Sequence, residues 1–247
     1  MGDRTTDAAF VLASLVEGAA VHATDAYIAE YIDEDLTNSA LYLDLRGRLA
    51  PGSFPEYANS RYIVGWRYVS ARAPSPNATD HVYENPPRTG EQVIHRLAPG
   101  AEPPRPLSVT ASTGRYRRVG TDRLGEGFLR VALRNGHSRE RANRAAAGWG
   151  NDTLRTYLPE GGGDPAYAWT LRFDDAENRS QFVATLRESL SSRGNRTAGV
   201  WTVPGTATFD LRLVGEETAV VLAGNESFVG NTNVSGSDAE VSISLPD

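Results

Sequence analysis

Ten residues near the start of the chain, ASLVEGAAVH at 13–22, set a carboxylate inside an apolar run. Glu17 follows Phe10, Val11, Leu12, Leu15 and Val16 and precedes Val21. An unpaired carboxylate in such surroundings costs several kcal/mol, so Glu17 must either turn to water or meet a positive partner. The four histidines, His22, His81, His95 and His137, are the other candidates for chemistry. None belongs to an HExxH pair, the spacing that gives zinc two nitrogen ligands with a base between them. His22 and Asp25 are three apart, so the acid can orient the imidazole. Glu17 and His22 are five apart, roughly 140° around a helix, which keeps them from readily sharing a metal. Glu91 and His95 are four apart and so neighbour each other on one face of a short helix.

The elements that must carry these residues follow from periodicity and punctuation. Residues 7–32 read as a helix capped by Thr6 or Asp7, with apolar residues at helical spacing through Tyr31. LYLDL at 41–45 suggests a turn of helix, and a second long helix is expected over about 56–72. In that stretch Tyr62, Val64, Trp66 and Tyr68 also alternate like a strand. Short helices are expected over Asp80–Glu84 and from the Thr89 cap through His95. The proline-rich segment 97–106 reads as a linker or rigid loop and is the best candidate boundary along the chain. Beyond it come a short strand at 107–110, a helix over 121–135 and another over 138–147, ended by GWG. GRYRR, with Arg115, Arg117 and Arg118, reads as a solvated loop. Trp149, between Gly148 and Gly150, is expected to plug a core joint at a tight turn, with Asp152 as a cap. AYAWTLRF reads as a strand and the following acid-started segment as an amphipathic helix. TAGVWTV, ATFDLRLV, ETAVVLAG and VSISL read as further strands. The fold class expected is α+β: a mostly helical N-terminal part, then a small antiparallel sheet with a packed helix. The division is drawn as 1–150 and 151–247, the two parts being compatible with one continuous domain.

Composition narrows the function classes. The chain has 247 residues and no cysteine, which excludes disulfides and thiolate metal sites. All 25 basic residues are arginine, the net charge is −6, and no basic stripe is present, so nucleic-acid binding is disfavoured. Arginine without lysine, and a single Met, suggest a high-GC genome, with salt-loving archaea the natural guess. No run of about 18 apolar residues is expected to cross a membrane, and no signal peptide is visible at Met1. Six Asn-X-Ser/Thr sequons occur, at Asn77, Asn151, Asn178, Asn195, Asn225 and Asn233, against roughly two expected by chance from the composition. Sequons belong on exposed loops of exported proteins, so the excess points to an extracellular or cell-surface location. A chain that is a piece of a longer one would reconcile export with the missing signal.

Four segments together carry a family resemblance. LVEGAA at 15–20 looks like the Glu-Gly helix of gluzincin-type zinc peptidases. NPPRTGEQVIH at 85–95 resembles a Pro-Pro…Thr-Glu-Gln…His element, and RAAAGWGND at 144–152 a Gly-Trp-Gly-(Gly/Asn)-Asp element. AYAWTLRFDDAENRSQFV resembles a tryptophan strand followed by an acid-started helix. Their order is similar to a family of surface proteins of halophilic archaea related to zinc-dependent peptidases. The resemblance implies that Glu17 holds the third zinc-ligand position, with the other two ligands and the base upstream of Met1. It implies Zn²⁺ only if those ligands exist, and otherwise no cofactor. Ala19 stands where relatives carry an acid that holds a ligand histidine. His95, with Glu91 beside it, would donate to the oxyanion of a peptidase; the role preferred from the residues alone is structural, His95 tying its helix to the proline loop.

Three functions remain as expectations. The first is an exported surface protein with a peptidase-like scaffold and no complete active site. The second is the C-terminal part of an active zinc endopeptidase. The third is a surface binding module unrelated to peptidases, using Tyr167, Trp169 and Trp201 as a ligand face. Partners are not specified beyond possible association with the cell envelope.

Overall fold

The hydroxyl of Thr5 accepts the Ala8 amide at 3.2 Å and starts the first helix, α1 (Thr6–Tyr31), one residue before the expected cap. The computed structural model describes residues 5–32 and 36–247. Thr37 caps α2 (Asn38–Arg48) and Ser53 caps α3 (Phe54–Ser70), each accepting the amide three residues on. The 41–45 turn thus belongs to a helix of 11 residues, and 56–72 is helical rather than extended. The ambiguous stretch resolves as helix through Gly65, Tyr68 and Val69, which are buried together on one helical face.

Two compact units divide the chain: Met1–Pro103 with Gly125–Asn135, and Pro104–Leu124 with Gly136–Asp247. Residue 150, where the sequence places the division, lies within strand β3 (Trp149–Pro159).

In the first unit α1 and α3 run parallel. Phe10 stacks on Tyr57 with centroids 5.4 Å apart, Ser14 presses its carbonyl on Gly65, and His22 Nδ1 meets Ser70 Oγ at 3.1 Å. A Cβ at Gly18 would overlap the Gly65 carbonyl, and one at Gly65 would overlap the Ser14 carbonyl. The two backbones therefore touch, which only glycine permits. The helix α2 returns alongside: Asp25 accepts the Ser39 amide at 3.0 Å and Tyr42 stacks on Tyr62 at 4.2 Å. Asp25 thus holds α2 rather than orienting His22. Val82 of α4 (Asp80–Glu84) and Val93 of α5 (Gly90–His95) pack with Val11, Leu15, Tyr68 and Val69. The last helix of this unit, α6 (Gly125–Ala132), is shorter than the expected 121–135.

Its missing first turn is strand. Tyr116–Asp122 form β2, so GRYRR is not a loop: Tyr116 is 7% exposed while its flanking arginines face water. Burial of the one aromatic, not the charge density around it, decides the conformation of this segment. The second unit also holds β1 (Ser108–Ser112), α7 (Arg139–Ala146), β3, β4 (Ala166–Phe173) and α8 (Ala176–Arg193). It continues with β5 (Asn195–Thr197), β6 (Val200–Val203), β7 (Ala207–Val214), β8 (Thr218–Gly224), α9 (Glu226–Asn231), β9 (Asn233–Gly236) and β10 (Glu240–Ser244). Seven strands form an antiparallel sheet in the order β2-β3-β4-β8-β7-β6-β5. A three-stranded sheet, β1-β10-β9, pairs β1 parallel to β10. The α+β class holds, with helices leading and a mostly antiparallel sheet with a packed helix following.

Alternation along β4 makes the layers. Ala166 and Ala168 face the core shared with Val241 and Ile243 of the small sheet. Phe173 points to the other face and meets Phe182 of α8 at 5.1 Å. Gly148, at φ +73°, makes the turn from α7 into β3, so Trp149 opens a strand rather than ending a turn. Asp152 does not cap a helix. Its carboxylate accepts Trp149 Nε1 at 2.9 Å, Trp169 Nε1 at 3.1 Å and the Leu124 amide at 2.9 Å.

Gly18→Ala forces α1 from α3 and should lower stability by at least the ~1–3 kcal/mol of an overpacked core, read as a fall in the urea midpoint at unchanged slope. Glu217 accepts from Arg105 at 2.7 Å and from Arg172 at 2.8 Å. Burial alone would raise its pKa, but the hydrogen bonds and charges of the two arginines outweigh burial and hold it below the ordinary carboxylate value. The contribution is full above the unfolded-state pKa of about 4.3 and is lost as pH falls through the lower folded value. Glu217→Gln should therefore flatten the acid limb of a stability–pH profile; equal limbs would refute the assignment.

Candidate functional site

Asp7, in the first turn of α1 and fully buried, accepts the Gly90 amide at 2.8 Å and so fixes the start of α5. A Cβ at Gly125 would collide with the same Asp7 side chain, which places the start of α6 there too. Thr89 caps α5 by accepting the Gln92 amide at 3.2 Å. The Gln92 side chain, also fully buried, accepts the Arg88 amide at 2.6 Å and donates to the Ala101 carbonyl. Gln92, rather than His95, ties this helix to the proline loop.

That frame delivers His95, at the end of α5, to Glu126, in the first turn of α6. His95 Nε2 lies 3.1 and 3.0 Å from the two Glu126 oxygens. Arg130, one turn further along α6, donates Nε to the same carboxylate at 2.8 Å, and its terminal nitrogen is 3.4 Å from His95 Nε2. Glu126 has no exposure, whereas the His95 side chain retains 36%. The buried anion is thus balanced by a guanidinium and holds an imidazole at the surface. A carboxylate at Nε2 favours the proton there, which leaves Nδ1 of the neutral ring as the acceptor. Such an arrangement can orient an imidazole for proton transfer or for donation to an anion.

The sequence pairs His95 with Glu91. Both stand on α5, but the carboxylate at His95 Nε2 is Glu126, and Glu91 is buried. Glu126 escaped the sequence reading because it is 31 residues from His95 and within a helix expected to start earlier. The i,i+4 relation of Glu126 and Arg130 was the only local signal.

Glu17 has other neighbours. It is half-buried on α1 one residue before the crossing glycine. Burial raises the Tyr42 phenol pKa, and the Tyr62 hydroxyl and the Glu17 carboxylate raise it further. No arginine pairs with Glu17 among the described residues. Nor, among the described residues, do three or more His, Asp or Glu side chains converge on a point where a metal ion would sit. Glu17 would supply at most one oxygen ligand, and the His22 ring is bonded to Ser70. The residues present do not by themselves fit a zinc centre, which needs three or four ligands.

By length and composition α1 is long and apolar enough to cross a membrane, with mean hydropathy 1.2 over an 18-residue window. Of the aromatic residues proposed as a ligand face, Trp201 is 2% exposed and Trp169 donates to Asp152. Only Tyr167 reaches an open groove of about 670 Å³, beside Thr202, Thr206, Thr208 and Asn225.

A family model described as a domain of unknown function, DUF8575, matches residues 113–233, just under half of the chain. The match runs from the turn before β2 to the start of β9. It includes Glu126, Arg130 and Asp152 and leaves out Glu17, Glu91 and His95. No curated protein and no solved structure matches the chain.

Glu126→Gln would leave the Arg130 charge without its anion. The expected loss is near the lower end of the ~3–5 kcal/mol typical of a broken buried pair, because Arg130 keeps 21% of its exposure. Histidine ¹⁵N shifts should then show His95 passing from the Nε2–H tautomer to a mixture. An unchanged tautomer would show that Glu126 does not set it.

Proposed function

We propose that the protein is an exported, cell-surface protein of a halophilic archaeon, built on a zinc-peptidase-like scaffold and non-catalytic as the chain stands. The observation that carries the reading is the His95–Glu126–Arg130 arrangement. It orients His95, which the resemblance assigns to the oxyanion of a peptidase, in the same helical unit as the Glu-Gly pair of α1 that the resemblance assigns to the third zinc ligand. The sequence contains no HExxH, so neither the pair of nitrogen ligands nor the intervening base is encoded. The sequon excess supports export, and arginine without lysine supports the source.

A second reading, the C-terminal part of an active zinc endopeptidase, is favoured by the outer face of α1. Leu12, Val16, Tyr27 and Tyr31 are 63, 50, 57 and 65% exposed there. They line up with exposed Ala9, Ala20 and Ala23 at helical spacing. An apolar face of this length calls for a cover, and in this reading an upstream segment bearing HExxH supplies it. In-frame translation of the DNA upstream of Met1 decides: an immediate stop, or a frame without HExxH, removes the second reading.

For the first reading, stoichiometric Zn²⁺ should leave the melting temperature unchanged, since a ligand stabilises only the state that binds it. Casein should remain intact. A melting temperature raised by many degrees, or casein hydrolysis blocked by a chelator, would overturn the non-catalytic assignment.

A further inference from the structure

The six sequons are not equivalent in the fold. Asn151, in β3, an interior strand of the seven-stranded sheet, donates Nδ2 to the Arg105 carbonyl at 2.8 Å and accepts the Asp152 amide at 2.9 Å. Asn178 lies in the first turn of α8, donates Nδ2 to Asp175 at 3.2 Å, and packs that same nitrogen against the Gly148 α-carbon. A glycan on either nitrogen would displace these contacts. Asn225 uses Oδ1 to cap α9, accepting the Phe228 amide at 2.8 Å. Asn77 lies in a 3-10 turn whose Thr79 hydroxyl donates to the Pro76 carbonyl at 2.9 Å.

Asn195 and Asn233 differ from all four. Each begins a short strand at the edge of its sheet, β5 of the seven-stranded sheet and β9 of the three-stranded one. Each is exposed, as is the hydroxyl residue two positions on, Thr197 or Ser235. Neither amide is engaged by a hydrogen bond among the described residues. In a strand, residues i and i+2 share a face, so amide and hydroxyl are offered together to one approaching enzyme. An edge strand also exposes unpaired backbone groups that invite pairing with another chain.

We propose that Asn195 and Asn233 are N-glycosylation sites whose glycans cover these two sheet edges, while Asn151 and Asn178 stay unmodified. The proposal rests on the export reading, because the transfer needs a membrane oligosaccharyltransferase and a lipid-phosphate-linked oligosaccharide. The asparagine Nδ2 forms a bond to the anomeric carbon of the glycan. The bond from that carbon to the lipid phosphate breaks, the lipid phosphate leaves, and the amide proton passes to a base of the transferase.

Two arms test the proposal separately from export. In the first, the purified full chain is incubated with an oligosaccharyltransferase and its lipid-linked donor, and glycopeptides are identified by mass spectrometry. Glycan on Asn195 and Asn233, with two gel-mobility steps lost in the Asn195→Gln/Asn233→Gln variant, is the expected result. Bare Asn195 and Asn233, or glycan on Asn151 or Asn178, overturns it. In the second, the protein is recovered from its native host after fractionation. Exported protein bare at both asparagines overturns this proposal and leaves export standing, whereas protein confined to the cytoplasm refutes export and this proposal with it. The edge role predicts faster aggregation of the double variant than of the glycosylated chain by light scattering; equal rates refute that role.

Discussion

The contact of α1 with α3 at Gly18 and Gly65 sets the geometry of the whole helical unit. Backbone touches backbone there, so the distance and rotation of the two helices are fixed by main chain rather than by adjustable side chains. Rotation matters most for what lies next to the contact. Glu17 is one residue from Gly18, about 100° around the helix, and is therefore turned from α3 toward the Tyr42 side, where α2 stacks on α3 through Tyr42 and Tyr62. At the N-terminal end of the same helix, Asp7 faces the opening turns of α5 and α6. One rigid pair of helices thereby positions both the orphan acid and the frame of the His95 arrangement. This also explains why the acid is tolerated: half-burial beside a phenol leaves it partly hydrated, and the desolvation that would demand a cation is not paid in full.

The second unit uses a different device for the same end. Asp152 is 2% exposed and would be costly in an apolar joint, yet its two oxygens receive two indole N–H groups and a backbone amide. Three donors satisfy the charge locally, and the indoles bring their apolar bodies with them. The carboxylate therefore sets the rotamers of Trp149 on β3 and Trp169 on β4 as a pair, and through the Leu124 amide it anchors the segment that follows β2.

Much of this was legible in the sequence wherever local chemistry and periodicity agreed. α1, α3, α5, β4, β7 and β8 carry caps, turns and unbroken patterns, and the structure places each close to expectation. The failures share a cause. In β2 the arginines dominated the reading although Tyr116 alone decides the burial. In β3 two glycines suggested a turn and hid an 11-residue strand. α9 and β9 are too short for any period to show. At the site, His95 was visible as a chemistry-bearing residue, but Glu126 was not. Its partnership depends on α6 returning to the helical unit after a strand of the other unit, a tertiary fact that no spacing rule encodes.

A helix apolar all round is ordinarily buried on every side, and here the face bearing Phe10, Ser14, Leu15 and Gly18 is covered while the face bearing Leu12 and Val16 is open. A lipid surface is a poor match for that open face. Interfacial helices gain from flanking cations, and the charges along α1 from Asp7 through Glu17 and Asp25 to Glu30 are all acidic. Buried Asp7 and Ser14 on the covered side likewise point to a protein neighbour rather than to hydrocarbon on that side. The helix is closed on one side by α3, and the pattern of alanines among larger side chains on its other side has the relief that a second helix can pack against.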